Sequence, residues 1–144
     1  MLNITIICSG GGHNKDRYFS DASAEYEKRL GAYAKVKIIE VGEKDGDILA
    51  AIPKRAYIVA LCINGKQLSS EELSQKLADT ELNGYSEIVF IIGASDGFGK
   101  SVEDKADFRL SFSKMTFPHR LMRVILLEQL YRAMNIRHGG KYHK

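Results

Sequence analysis

Five short runs of apolar, β-branched residues alternate with stretches of helical spacing, and that alternation narrows the architectures open to this 144-residue chain. The runs cover residues 2–8, 36–41, 56–63, 87–92 and 108–113, and their length and Val/Ile content read as strands. Parallel strands need a crossover between them, which a helix supplies, so the pattern points to an α/β domain around a mainly parallel sheet flanked by helices. No repeat, low-complexity segment or linker interrupts it. A chain of this length buries a sizeable core as a single domain, residues 1–144.

The helical stretches differ in how clearly they are marked. Tyr18, Ala22, Tyr26 and Leu30 recur every fourth residue, Glu25 is placed to pair with Arg29, and Gly31 offers a stop. The connection 42–53 is short, with room for a helical turn or two. Ser69-Ser-Glu-Glu72 is a capping box, and Leu68 and Leu73 stand where a hydrophobic staple packs. The last pattern, 118–137, opens on Pro118 and stops at Gly139-Gly140. Its apolar side chains, Leu121, Val124, Ile125, Leu130 and Ile136 among them, surround the helix axis. A helix covered on one side only has a clean polar face. Here a second covering surface is expected, most simply another subunit. Glu128 and Arg132 lie four residues apart on it and are set to pair.

Charge is unevenly spread. Residues 114–144 hold seven basic side chains against one acid, while the whole chain carries only +3. The basic end suits a polyanionic partner; a solvated basic helix and tail is the plainer alternative. The apolar N-terminus has no basic region before it and no small-residue cleavage site, so no secretory signal is expected. No apolar stretch reaches the ~20 residues of a membrane span. Cys8 and Cys62 lie in strand-like runs without a C-x-x-C pair and read as core thiols of a cytoplasmic protein.

Two glycine motifs fail on spacing. Ser9-Gly-Gly-Gly-His13 follows the first strand, but a dinucleotide fingerprint from Gly10 needs glycine at position 15, which is Lys15. Gly93-Ala-Ser-Asp-Gly-Phe-Gly-Lys-Ser101 has five residues between its first glycine and Gly-Lys-Ser, where a phosphate-cradling P-loop has four. What remains at 93–99 is a glycine-rich loop after a strand, suited to a ligand read by backbone contacts or to a plain tight turn. No zinc-type Cys/His spacing occurs, and no metal is expected. His119, beside Pro118, suits a structural or a functional role equally. In the terminal Tyr142-His-Lys144, an aromatic able to stack on a base stands between Lys141 and Lys144.

Several ordered motifs are shared with one family. Phe90-Ile-Ile-Gly-Ala-Ser-Asp-Gly97, Leu110-Ser-Phe-Ser-Lys-Met-Thr-Phe-Pro-His119, Arg123-Val-Ile-Leu-Leu-Glu-Gln-Leu-Tyr-Arg-Ala133 and Tyr142-His-Lys144 resemble the ribosomal RNA large-subunit methyltransferase H family of the SPOUT methyltransferases. Glu25-Tyr-Glu-Lys-Arg-Leu30 and Ile63-Asn-Gly-Lys66 extend the match over nearly the whole chain. The resemblance implies a trefoil-knotted α/β fold and a homodimer, where strand alternation alone draws an unknotted sheet. It implies S-adenosylmethionine as methyl donor and N3 of a pseudouridine in a 23S rRNA hairpin loop, on the assembled ribosome, as acceptor. No DNA or membrane partner is implied.

Carried over by position, the donor site takes Leu61, Gly93 and the segment Phe112, Ser113, Lys114, Met115, Thr116 and Phe117. Tyr142 and His143 resemble the substrate-facing tail, reaching the partner's donor, with His143 as base or as stabiliser of the forming anion. Arg123, Arg137, Lys141 and Lys144 are the RNA-contacting candidates, and Arg132 is either another phosphate contact or spent on Glu128. Ala94 stands where the family commonly has glycine, which is tolerable at negative φ, and the 42–53 connection is short. A non-catalytic ribosome-binding protein with the same basic tail is the rival reading.

Overall fold

The computed structural model describes residues 1–10 and 16–144. Gly11, Gly12 and His13 of the first glycine motif therefore lie outside the described residues.

The chain runs β1 (Leu2–Ser9), α1 (Arg17–Leu30), β2 (Ala34–Val41), α2 (Asp45–Ala51), β3 (Tyr57–Gln67), α3 (Ser70–Leu82), β4 (Glu87–Ile92), α4 (Lys100–Lys105), β5 (Phe108–Ser111) and α5 (His119–Arg137). The strands form one sheet in the order β2-β1-β4-β3-β5, every pair parallel. Because successive side chains of a strand point to opposite faces, β1 and β4 divide their apolar residues between two cores. Ile4, Ile6, Cys8, Ile88, Phe90 and Ile92 pack with Leu30 of α1, Leu73 and Leu77 of α3 and the inner side of α5. Ile7, Val89 and Ile91 pack with Ile48 of α2 and Val102 of α4 on the other face. The sheet is thus sandwiched between three helices and two.

Local signals explain most of the elements. Glu25 accepts from Arg29 Nε at 2.7 Å on α1. The α3 capping box closes in both directions, Glu72 N to Ser69 Oγ at 3.0 Å and Ser69 N to Glu72 Oε1 at 2.8 Å. Gly31 ends α1 in a right-handed conformation (φ −58°), so the stop needs no left-handed residue there. Two elements depart from the sequence expectation. Helix α4 has only six residues, and its start is held by Asp45 of α2, which accepts from Gly99 N at 2.9 Å and Ser101 Oγ at 2.5 Å. Strand β3 runs on to Gln67, and Leu61 and Lys66 both pair with Leu110, so the residues between them leave the ladder.

Helix α5 buries Leu126, Leu127, Leu130, Ala133 and Met134 against the sheet side, while Leu121, Val124 and Ile125 stay half-exposed. Its C-terminus closes as a Schellman turn: Gly139 N donates to Ile136 O at 3.1 Å and Gly140 N to Asn135 O at 2.8 Å. Gly139 has φ +73°, which glycine adopts without strain, and the turn sends residues 141–144 back along the helix. Among the described residues no helix is long and apolar enough to cross a membrane.

Candidate functional site

The C-terminal ends of β3, β4 and β5 open into one cleft of about 280 Å³. Loops at strand C-termini are where parallel sheets bind ligands. Its walls come from three segments. The first is Leu61 with the β3 excursion Cys62, Ile63 and Asn64; the second is the loop 93–98; the third is Ser111, Phe112, Ser113, Met115 and Phe117, backed by His119 and Met122 of α5.

The glycine loop owes its shape to close backbone packing. A Cβ at Gly93 would stand 2.8 Å from the Gly97 main chain, closer than real Cβ contacts allow. Gly97 N donates to Ala94 O at 2.7 Å, closing a turn whose last residue has φ +75°. Ala94 is not among the positive-φ residues, so its Cβ is accommodated. The 112–117 segment leaves β5 through a serine turn: Ser111 Oγ donates to Ser113 O at 2.9 Å, and Met115 N to Ser113 Oγ at 3.0 Å.

Of the donor-site residues expected from the sequence, Leu61, Gly93, Phe112, Ser113, Met115 and Phe117 line the cleft. Lys114 and Thr116 belong to the same loop but are exposed and stand outside the lining. Sequence reasoning missed Cys62, Ile63 and Asn64, whose place follows from the long-range register of β3 on β5, and the acids Asp96 and Glu103. Burial, and secondly Glu103, push the Cys62 thiol up to about 11, so it stays neutral at physiological pH. The wall mixes apolar residues such as Leu61, Phe112 and Phe117 with polar ones such as Asn64, Ser95, Ser111 and Ser113. That suits a planar heteroaromatic ring with polar edges.

Tyr142 and His143 lie elsewhere on the chain, outside that lining. They fold onto the C-terminal half of α5. Tyr142 OH donates to Glu128 Oε2 at 2.6 Å, and Tyr142 N donates to Asn135 Oδ1 at 3.1 Å. The Arg132 guanidinium sits 4.6 Å from the Tyr142 ring centre and pairs with Glu128 at 2.6 Å. Burial acts to raise the Glu128 carboxyl, but the hydrogen bonds from Arg132 and Tyr142 outweigh it and hold it below the usual carboxylate range. The same bond to Glu128, aided by burial, pushes the Tyr142 phenol far up, so it keeps its proton. Arg132 Nη1 approaches His143 Nδ1 at 3.1 Å, and His143 Nε2 lies 3.4 Å from Glu71 Oε1. A guanidinium only donates, so Nδ1 accepts and the ring proton sits on Nε2.

The basic candidates separate as well. Arg123 is 13% exposed and faces Glu40 at 4.0 Å, beside the buried Cys8 thiol. Arg137 pairs with Glu81 at 2.5 Å. Lys141 and Lys144 are exposed.

A family profile described as "Predicted SPOUT methyltransferase" matches residues 2–143. The chain belongs to the SPOUT methyltransferases. Proteins named "Ribosomal RNA large subunit methyltransferase H" from Clostridium novyi and Bifidobacterium adolescentis are 46% and 47% identical to it, each over 99% of this chain and 100% of the relative. The SPOUT fold is evident in solved structures too. A probable methylase family protein from Haemophilus influenzae superposes with TM-score 0.64 at 12% identity, covering 99% of this chain and 71% of that one. The SpoU methyltransferase AviRb from Streptomyces viridochromogenes, solved with AdoMet, gives 0.53 at 11%, covering 96% and 59%.

Proposed function

We propose that this chain is an S-adenosylmethionine-dependent methyltransferase of large-subunit ribosomal RNA, acting on N3 of a pseudouridine in a 23S rRNA hairpin loop on the assembled ribosome. The observation that carries the reading is the convergence of 61–64, 93–98 and 111–117 on one cleft, with Gly93 letting the 93–98 loop fold tightly against its own Gly97 main chain. The full-length relatives named as rRNA methyltransferases support the substrate class. The lining supports this donor: Leu61, Phe112 and Phe117 offer apolar walls for a ring, and Asn64, Ser95, Ser111 and Ser113 offer polar groups for its edge.

S-adenosylmethionine supplies an electrophilic methyl group on a sulfonium. The protein's task is alignment and water exclusion, and such positioning accounts for ~7–11 kcal/mol of a barrier. Half-exposed Leu121, Val124 and Ile125 on α5 support a homodimer in which the tail of one copy faces the cleft of the other. With Nδ1 turned to Arg132, the His143 N–H at Nε2 points to Glu71 Oε1, 3.4 Å away, and has to leave that carboxylate to reach a base. Released from Glu71, it acts as a donor that stabilises the uracil anion left when the N3 proton passes to water, rather than as the base that takes the proton. Tyr142, its phenol committed to Glu128, holds the tail and offers a ring face to the base. Exposed Lys141 and Lys144 carry the phosphate contacts; Arg123 and Arg137 would have to leave acidic partners to join them.

Mass spectrometry of rRNA from cells lacking the protein tests the reading. Loss of one N3-methylated pseudouridine from 23S rRNA, restored by the gene, is expected. An unchanged methylation pattern would refute it.

A further inference from the structure

The chain as a whole is basic, yet the lining of its cleft is not. Its charged side chains among the described residues are Asp96 and Glu103, both acidic; Cys62 and His119 are the other titratable groups there. Arg109 and Lys66 line the neighbouring groove, which shares Asn64 and Glu103 with the cleft. Glu103 projects from the first turn of α4, a helix fixed by Asp45 rather than by the ligand, so the carboxylate stands at the wall in advance of binding. Its neighbour Cys62 stays a neutral thiol, so it adds no further negative charge to the wall.

Two carboxylates facing one small cleft repel anions and attract cations. A triphosphate is disfavoured there. A sulfonium is favoured, and its charge disappears when the methyl group leaves. Resting on the donor reading above, we infer that Glu103, with Asp96, makes the cleft sense the charge on sulfur, favouring S-adenosylmethionine over its neutral product S-adenosylhomocysteine. Donor and product share the adenosine and the amino-acid end, so the sulfur charge is what these side chains can tell apart. The device would speed exchange of spent product for fresh donor without any conformational step.

Isothermal titration of the full-length protein with each compound provides the test. Glu103→Gln is expected to weaken donor binding about three- to tenfold, the range for a partly solvated charge pair, while product affinity stays within about twofold. Glu103→Asp should keep most of the discrimination. Independently of any variant, raising salt from about 0.05 to 0.5 M should narrow the wild-type preference for the donor, because charge–charge attraction is screened. Equal weakening of both ligands in Glu103→Gln would assign the carboxylate to the shared amino-acid end and overturn the inference, as would no weakening or a salt-independent preference. Failure of the wild-type protein to bind either compound would instead remove the donor reading itself.

Discussion

In the cleft the main chain does the shaping. Gly93 lets the Gly97 backbone approach, and the turn closes through Ala94 O. In the C-terminal tail, side chains do it: Glu128, Arg132 and Asn135 hold Tyr142 and His143 through four polar and ring contacts. A backbone-built site tolerates most side-chain changes but not an added Cβ. A side-chain-built site comes apart with single polar substitutions and leaves the fold intact. The two regions should therefore fail differently, and the failures can be measured.

The largest effect is expected from His143→Ala. Removing a donor aimed at developing charge costs on the order of 10²-fold in turnover. Donor affinity by calorimetry and the melting temperature should stay near wild type, since His143 lies outside the cleft. Full turnover in this variant would remove His143 from the chemistry.

Gly93→Ala should show the opposite signature. Its Cβ meets the Gly97 main chain, and overpacking of this kind costs about 1–3 kcal/mol, or roughly 10- to 100-fold in donor affinity if the loop shifts to relieve it. Titration with S-adenosylmethionine reads this directly. Unchanged affinity would mean that the loop does not touch the donor.

Glu128→Gln sharpens the contrast with a smaller effect, about a few-fold in turnover and on the order of 1 kcal/mol in stability. Its pH dependence has a definite sign. A carboxyl held below its usual range stabilises the fold above the unfolded value and loses that contribution as pH falls through the folded one. The melting-temperature gap between wild type and Glu128→Gln should thus be widest near neutral pH and close in acid. A gap independent of pH would show that the Glu128 charge does not anchor the tail.

Much of the frame was legible in the sequence because its causes are local. Alternating β-branched runs, the Ser69/Glu72 box and the Glu25–Arg29 pair each depend on residues a few positions apart, and the structure has all of them. Helix α4 was not legible, since six residues signal little and its cap comes from Asp45. Nor were Cys62, Ile63 and Asn64, whose exposure to the cleft follows from how β3 passes β5. Gly93 and the 112–117 loop were reached by resemblance and by strand-end position together. The tail was legible as a motif, but its folding back on Glu128 and Arg132 joins residues 7 to 14 positions apart through a glycine turn, which no local pattern signals.

The claim that most needs testing is that cleft and tail from different copies form one site. Co-expressing Gly93→Ala and His143→Ala chains with different tags allows their heterodimer to be purified. In it, one cleft is intact on the chain whose tail is broken, and one tail is intact on the chain whose cleft is broken. If the tail acts on its partner's cleft, the heterodimer should regain about half of the wild-type methylation rate per dimer, since one of two symmetry-related sites is whole. A heterodimer no more active than either parent variant would contradict the account.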